Sequence, residues 1–514
     1  MTIFFRRYLL LLLVFMTGAA ILVVELTATR VIAPYYGNTI FTFSSVIGII
    51  LAALSLGYYG GGRLSDRYPE RKFFFLLIAI GGLTILLLLA LAHSILPRFA
   101  GAFSLKEGPL VFSLLLFFLP ALILGALSPF AIKLQSMANP QLGLGQVSGS
   151  VFFWSTLGSI VGSLLTGFFL IPHFGVVQIL LSVGWALTLL GLLGAAQNKA
   201  SFIILLTLSV SLGLGLSYFS WQKALRKQAG VLLRKDGLYS RIQVVEGMVP
   251  GNIPVRALLL DRGVHSVIDQ NSGKLVDPYT RFYGLYRLYQ SELTSALFLG
   301  GGAYTMPAQL LKDKPDLRID VAEVEPGLYE IGREFFHVPA SKNLRSFNED
   351  GRAFLKRHPQ KYDYIFEDAF SSYGSMPMHM MTREFFELLA ENLKDEGIFI
   401  INVIGTLDKD KGILLYSILR TISSVFPHFQ LFAMDDAGSA KVQNFIVLAR
   451  KGPPFPPLAK VELQKVFDDP ILQNLDQHQV IIPLQEVFKK YPIITDNYAP
   501  IEYWGEQLIS SADH

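Results

Sequence analysis

Seven long apolar runs fill the first 220 residues of this 514-residue chain and limit what it can fold into. A helix needs about 20 apolar residues to cross the hydrocarbon core of a bilayer. Each run is about that long and carries few charges, and glycines recur inside the runs, as is typical of helices that pack closely in lipid. We therefore expect residues 1–220 to form a seven-helix transmembrane domain whose partner is the lipid bilayer. The runs cover residues 8–29, 40–61, 73–96, 110–134, 147–170, 175–196 and 201–219.

The rest of the chain has the composition of an ordinary globular domain and carries most of the charge. The formal net charge of the whole chain is only +4, so we expect no nucleic-acid partner. The chain has no cysteine, which excludes disulfides, thiolate catalysis and cysteine-ligated metals. No motif with metal-ligand spacing stands out either, and we expect no metal site.

The second half reads as a small β subdomain followed by alternating strands and helices. The alternating stretches YSRIQVVEG (239–247) and VRALLLDRG (255–263) predict two paired strands in a subdomain over residues 221–275. The stretch 277–290 predicts an amphipathic helix. From residue 296 onward, strands alternate with helices, which predicts an α/β domain over residues 276–514 built on a doubly wound parallel sheet. Ligands of such sheets bind beyond the carboxyl ends of the strands.

Glycines and carboxylates stand at the carboxyl ends of four successive predicted strands. Glycine lets a ligand approach the backbone closely, and an acidic residue about 20 positions further on suits the hydroxyls of a ribose. The glycine turn lacks the GK[ST] of a phosphate loop, which favours a nucleoside of the S-adenosyl sulfonium type; a dinucleotide is the alternative. The residues are Gly300, Gly301 and Gly302, then Glu323 and Glu325, then Asp350, and finally Glu367 and Asp368.

The second half resembles the spermidine synthase (polyamine aminopropyltransferase) family, specifically its membrane-fused homologues. The resemblance covers roughly residues 230–505. It implies a methyltransferase-like Rossmann domain preceded by a small β domain. It also implies transfer of an aminopropyl group from decarboxylated S-adenosylmethionine, a co-substrate rather than a bound cofactor, to putrescine or spermidine. The matching stretches are LLLDRGVHS, LFLGGGAYTMP, VAEVEP, NEDGRAFL, YDYIFEDAF, MPMHMMTREFF and TDNYAPIE.

The resemblance assigns roles to single residues. Glu323 would bind the ribose, Asp350 the adenine amino group, and Asp368 would hold the attacking amine and take its proton. The remaining donor-binding candidates are the three glycines and His265, which stands where soluble members have glutamine. Carboxylates and aromatic rings suit a polycationic acceptor. The acceptor-binding candidates are Tyr279, Tyr283, Phe370 and Tyr373, with Glu367 and Asp496 as second carboxylates.

Two departures from the family pattern keep other functions open. Ala303 stands where the family has an aspartate after its glycines, and Ser371 stands where it has a second aspartate in the strand-end motif. A donor that keeps its carboxylate would not be repelled at Ala303, so a methyltransferase using S-adenosylmethionine is one alternative. A polyamine transporter or sensor is another, because a simple anchor needs one helix rather than seven.

The sequence places the protein in the cell membrane as a multi-pass protein. Basic residues that flank the apolar runs point to both sides of the membrane. Because S-adenosyl compounds are made in the cytoplasm, we expect the catalytic domain on that side. The resemblance also implies a homodimer formed through the second half.

Overall fold

The computed structural model describes residues 2–195, 207, 211, 213–218, 230–290, 292–370, 376–481 and 488–510. The chain divides into two compact units, residues 1–228 and residues 229–514. The first is built from helices and the second from two sheets and their covering helices.

In the described part of the first unit, six helices are long and apolar enough to cross a membrane. The first six predicted spans coincide with these helices to within one residue at each end or lie inside them. The seventh predicted span, 201–219, lies mostly outside the described residues; within it, residues 213–218 are helical. The six helices are Tyr8–Tyr36, Ile40–Arg67, Arg71–Ala102, Glu107–Ala138, Leu144–His173 and Val176–Ala195.

Glycines let these helices approach one another closely, as the sequence predicts. A Cβ atom on Gly57 of the second helix would lie 2.2 Å from the carbonyl oxygen of Leu122 in the fourth. A Cβ atom on Gly158 of the fifth helix would lie 2.0 Å from the carbonyl oxygen of Phe15 in the first. The helix backbones therefore approach too closely for any residue with a Cβ atom. Such close approach is typical of helices that pack inside lipid, where burying apolar side chains against each other brings no hydrophobic gain over lipid contact.

The second unit begins with a four-stranded antiparallel sheet in the order β1-β2-β3-β4. The sequence predicts two of its strands, at β2 and β3. In β2, Ile242 and Val244 are buried, whereas their neighbours Arg241, Gln243 and Val245 are half-buried. This alternation is typical of a sheet with one covered face. The strands are β1 Val231–Asp236, β2 Arg241–Val249, β3 Ile253–Leu260 and β4 Gly263–Asp269.

An eight-stranded sheet forms the centre of the second unit, in the order β12-β10-β11-β9-β8-β5-β6-β7. The strands from β7 to β9 are parallel, as predicted. The prediction of a wholly parallel sheet is wrong at the other edge, where β11, β10 and β12 pair antiparallel. There a loop of nine residues, 434–442, joins β10 to β11. A loop of this length is too short for the crossover that parallel strands need, so the two strands pair antiparallel.

The strand bounds of this sheet fix the positions of the polar residues that follow. They are β5 Ser295–Leu299, β6 Arg318–Ala322, β7 Leu344–Phe347, β8 Tyr362–Glu367, β9 Leu393–Gly405, β10 His428–Ala433, β11 Gln443–Arg450 and β12 Gln479–Val480. The α-helices are Tyr286–Tyr289, Thr305–Asp313, Leu328–Phe335, Gly351–Arg357, Arg383–Glu391, Ile413–Ser423, Lys460–Val466, Pro470–Gln473, Leu475–His478 and Ile501–Ser510.

The segment between the two sheets differs from its prediction. An amphipathic α-helix is expected over 277–290, but the chain forms a 3-10 helix, Pro278–Leu285, followed by one α-helical turn. Gly284 lies inside the segment, and glycine disfavours the α-helical conformation. The 3-10 helix brings Tyr279 to the end of β8, where its hydroxyl contacts Asp368.

Side chains on the two faces of the large sheet enter two separate cores. Ala296 and Phe298 of β5 face the first core, which also receives the small sheet. Leu297 and Leu299 face the second core, which is covered by the helices Arg383–Glu391 and Ile413–Ser423. Because both faces are covered, the carboxyl edge of the parallel strands is where polar groups of the sheet can meet a ligand.

Candidate active site

The parallel register brings the four predicted strand ends to one edge of the sheet. Leu299 of β5 pairs with Ala322 of β6 and with Glu367 of β8. Ala322 in turn pairs with Phe347 of β7. The residues that follow these positions are the glycine turn, Glu323, Asp350 and Asp368, so the structure gathers them at the same edge.

The glycine turn lies between the end of β8 and the small sheet. Gly300 has φ +91°, and a Cβ atom there would lie 2.6 Å from the carbonyl oxygen of Asp368. Gly302 has φ +50°, and a Cβ atom there would lie 2.8 Å from Oγ of Ser266 in β4. An L side chain fits neither the dihedral angles nor the space. Glycine is therefore required for the turn itself, in addition to leaving its outer side open.

Glu323 lies against the backbone of this turn. Its Oε2 accepts from the amides of Gly301, at 2.8 Å, and Gly302, at 3.2 Å, while its Oε1 accepts from the amide of Glu325 at 2.9 Å. Burial raises the pKa of Glu323, and these three hydrogen bonds work against that rise. Three donors fill three of the roughly four acceptor positions of a carboxylate. About one position is left to accept from a hydroxyl group.

Glu325, which the sequence groups with Glu323, has a different place. Its carboxylate accepts from three successive backbone amides of residues 238–240, at 2.7 to 2.8 Å. These amides lie in the turn between β1 and β2. Glu325 is 2% exposed and thus ties the small sheet to the large one rather than facing a ligand.

Asp350 is the N-terminal cap of the helix Gly351–Arg357. Its Oδ1 accepts from the amide of Ala353 at 2.9 Å, and its Oδ2 accepts from Nε2 of His379 at 2.7 Å. Burial alone would raise the pKa of Asp350, but the bonds from His379 and Ala353 outweigh it and lower the pKa below its usual value. The carboxylate stays charged at neutral pH and can accept from an amino group.

Asp368 is held from two sides directly after β8. Its Oδ1 accepts from Nδ2 of Asn402 at 2.9 Å, and its Oδ2 accepts from the hydroxyl of Tyr279 at 3.2 Å. Burial raises the pKa of Asp368 to about 7; the two hydrogen bonds lower it, and the negative charge of Asp277 raises it further. A carboxylate with a pKa near neutrality can take a proton from a substrate and release it again.

The predicted aromatic wall is only partly assembled. Tyr279 contacts Asp368, but the hydroxyl of Tyr283 donates to Asp313 at 3.0 Å, in a cluster that includes Arg287. Phe370 is half-buried and packs against the second core. Tyr373 lies outside the described residues. Among the rings of this set that the structure describes, only Tyr279 forms a hydrogen bond with Asp368.

The two predicted second carboxylates do not contact Asp368. Glu367 is 1% exposed, and its Oε2 has no hydrogen-bond partner among the described residues. Strand alternation turns its side chain toward the second core, on the other face of the sheet. Asp496 is exposed and forms two bonds with Arg352, at 2.7 and 2.6 Å, and one with Thr382. It therefore fastens the C-terminal segment to the helix that starts at Gly351.

His265 lies in β4, with its backbone against Gly302. Burial lowers the pKa of His265 to about 4, so its ring is neutral at pH 7. The ring therefore carries no charge that would repel a cationic ligand. Three partners of the site residues are not predicted from the sequence: Asn402, Asp277 and His379. A signal exists for Asn402, which is a single amide in the apolar run IFIINVIG.

Comparison with known proteins shows which proteins the second unit resembles. Residues 285–435 match the spermine/spermidine synthase domain. A polyamine aminopropyltransferase of Vibrio vulnificus is 30% identical over 141 residues, which are 27% of this chain and 47% of that protein. The chain thus spans about half the length of that relative. An N-terminal histidine N-methyltransferase of Emericella nidulans is 35% identical over 147 residues, 27% of this chain and 24% of that protein.

The similarity to some relatives extends over both units. Polyamine aminopropyltransferase 1 of Streptomyces coelicolor is 24% identical over 521 aligned positions, which cover 91% of this chain and 88% of that protein. Among solved structures, a probable spermidine synthase from Corynebacterium glutamicum has a TM-score of 0.43 and 21% identity, covering 51% of this chain and 96% of that one. The second unit therefore carries a spermine/spermidine synthase domain, and the chain as a whole is similar to a polyamine aminopropyltransferase.

Proposed function

We propose that this protein is a membrane-bound polyamine synthase. It transfers the aminopropyl group of decarboxylated S-adenosylmethionine to putrescine or spermidine and releases methylthioadenosine. The observation that carries the proposal is Asp368, a half-buried carboxylate that Tyr279 and Asn402 hold at the carboxyl edge of the sheet, against the glycine turn.

The donor's nucleoside is assigned to the edge formed by β5, β6 and β7. The open side of the glycine turn takes the sulfonium end, and the remaining acceptor position of Glu323 takes a ribose hydroxyl. Asp350 accepts from the adenine amino group. Burial lowers the pKa of His265 to about 4, so its neutral ring does not repel the positive charge of the sulfonium group.

Asp368 performs the proton transfer. The acceptor is an alkyl ammonium ion whose pKa lies near that of lysine, about 10, so it must lose a proton before it can attack. The carboxylate binds the ammonium group and takes this proton. The nitrogen lone pair then forms a C–N bond to the aminopropyl carbon attached to sulfur. The C–S bond breaks at the same time, and its electron pair stays on sulfur as the neutral thioether of methylthioadenosine.

A methyltransferase that uses S-adenosylmethionine is the second candidate. Ala303 is fully buried and supplies no acid next to the turn, so nothing at that position selects against a donor carboxylate. The Emericella nidulans relative, whose name is that of a methyltransferase, supports the same reading.

The site belongs to the second of two domains, which differ in their surroundings. We assign residues 1–220 to a multi-pass domain in the cell membrane, residues 221–275 to the small β subdomain and residues 276–514 to the catalytic domain. The catalytic domain lies on the cytoplasmic side, where the donor is made, and forms a homodimer. The six apolar helices are the support for the membrane assignment.

A product assay on the full-length protein in detergent tests the proposal. Each of the two donors, decarboxylated S-adenosylmethionine and S-adenosylmethionine, is supplied with putrescine or spermidine, and products are identified by mass spectrometry. The proposal predicts methylthioadenosine and a polyamine that is longer by one aminopropyl unit. A methylated product establishes the second candidate instead. No product from folded protein with either donor overturns both and favours the transporter or sensor.

A further inference from the structure

A buried amide, Asn402, and a half-buried one, Asn444, form a series of hydrogen bonds that ends at Asp368. Nδ2 of Asn402, in β9, donates to Oδ1 of Asp368 at 2.9 Å. Nδ2 of Asn444, in the neighbouring strand β11, donates to Oδ1 of Asn402 at 3.0 Å. Asn402 is 2% exposed, between the fully buried residues Ile401 and Val403. A buried amide in an apolar strand costs free energy unless both of its ends are paired.

The ionised carboxylate of Asp368 determines the orientation of both amide groups. An ionised carboxylate only accepts hydrogen bonds, so Asn402 must turn its NH2 group toward Asp368 and its carbonyl away. Asn444 donates to that carbonyl and holds the amide in this orientation. If Asn402 were reversed, its carbonyl oxygen would face the carboxylate and the two NH2 groups would face each other. The hydrogen bonds of the two amides therefore stabilise the ionised form of Asp368.

We propose that Asn402 and Asn444 are positioning residues, which hold Asp368 ionised and aimed at the acceptor amine. The inference rests on the proposed role of Asp368 in the transfer reaction. The groups that face Asp368 act in opposite directions. Burial and the charge of Asp277 oppose ionisation, whereas the hydrogen bonds from Asn402 and Tyr279 favour it. Glu367, the last residue of β8, directly precedes Asp368, and the charge of Asp368 raises the pKa of Glu367.

Asn444→Asp is the discriminating variant, because it keeps the shape of the side chain and reverses its polarity. An aspartate at 444 accepts and cannot donate, so Asn402 turns its NH2 group toward it and its carbonyl toward Asp368. The pKa of Asp368 then rises. We expect the acidic limb of the kcat/KM profile to move to higher pH and kcat/KM at pH 7 to fall about tenfold, the usual effect of losing one hydrogen bond to a charged group.

Two further variants complete the series. Asn402→Leu removes the donor to Asp368 and should move the acidic limb in the same direction, and it keeps the test open if Asn444→Asp does not fold. Asn343→Asp is the matched control, since the amide of Asn343 is near the surface and bonds to the carbonyl of Pro315. Its pH profile should equal that of the wild type.

An infrared titration reads the same effect without turnover. The band of the protonated Asp368 carboxyl is identified by its loss in Asp368→Asn, and its intensity is followed against pH in wild type and Asn444→Asp. A higher midpoint in Asn444→Asp supports the inference even if no aminopropyl transfer is found, so the two proposals fail separately. Equal midpoints in folded wild type, Asn444→Asp and Asn402→Leu would overturn it.

Discussion

Tyr279 donates its phenolic hydrogen to Oδ2 of Asp368 across 3.2 Å, which joins the 3-10 helix after the small sheet to the end of β8. Tyr279→Phe removes this donor and leaves Asn402 in place. The pKa of Asp368 should then rise, because one of the bonds that favour its ionised form is lost. We expect kcat/KM at pH 7 to fall about tenfold, with the loss recovered in part at higher pH.

Tyr283→Phe is the control for that variant. The hydroxyl of Tyr283 contacts Asp313 instead of Asp368, so its removal should leave the pH profile unchanged. Both tyrosines were predicted to line the acceptor site. An equal loss of kcat/KM in the two variants would show that the hydroxyl contact of Tyr279 has no special role.

Gly300 couples the glycine turn to the strand that carries Asp368. Gly300→Ala would place a methyl group 2.6 Å from the carbonyl oxygen of Asp368, at a φ of +91°. The strain should lower the free energy of unfolding by about 1–3 kcal/mol and weaken methylthioadenosine binding measured by calorimetry. Gly247→Ala is the control, because that position in β2 is open and has an ordinary φ. Unchanged binding in Gly300→Ala would contradict the placement of the donor on the turn.

Asp496 distinguishes an acceptor-binding role from a structural one. The guanidinium of Arg352 lowers the pKa of Asp496 to about 2, so the pair is charged throughout the physiological range. Asp496→Asn should cost at most about 1 kcal/mol of stability, since the carboxylate is exposed. Because Arg352 also donates to the carbonyl of His379, which contacts Asp350, we expect a higher KM for the donor. A higher KM for the acceptor alone would restore the sequence-based assignment.

Glu367 makes stability depend on pH. Burial, and then the charge of Asp368, raises the pKa of Glu367 well above its usual value of 4.5. The folded protein therefore keeps a proton that the unfolded chain loses above about pH 4.5, and stability falls as pH rises toward the folded pKa. Glu367→Gln is neutral at every pH and should remove this fall.

Thermal unfolding of the two proteins checks the sign. The melting temperature of Glu367→Gln should exceed that of the wild type by at least about 2 °C at pH 8, with a smaller difference at pH 5. A constant difference, or a less stable variant at pH 8, would contradict a protonated Glu367. If Glu367 binds the acceptor instead, the variant should show a higher KM for putrescine.

The sequence predicts the edge of the sheet well, for a physical reason. Parallel strands end at one edge, so residues that follow successive strands meet there whatever the details of packing. Gly300, Glu323, Asp350 and Asp368 come together on that ground alone. Each of them follows a short apolar run that is easy to recognise as a strand, so its position can be read from the sequence nearby.

The partners of those residues depend on long-range packing. Glu323 and Glu325 are two positions apart, yet one lies against the glycine turn and the other clamps the loop at 238–240. Which oxygen meets which amide is decided by how the small sheet docks, and no periodicity in the sequence encodes that. The bond between Asp496 and Arg352 spans 144 residues for the same reason. The antiparallel edge of the sheet was missed because strand patterns do not reveal strand direction.

The rate of methylthioadenosine formation in Asp368→Asn shows whether Asp368 takes the proton of the acceptor amine. The variant is compared with wild type at pH 7.5, in full-length folded protein supplied with decarboxylated S-adenosylmethionine and the acceptor that the product assay identifies. Asp395→Asn, at an exposed carboxylate, is the control. We expect Asp368→Asn to lose at least about a hundredfold in rate, because a general base is removed, and Asp395→Asn to retain the wild-type rate. A rate within threefold of wild type in Asp368→Asn would contradict this role of Asp368.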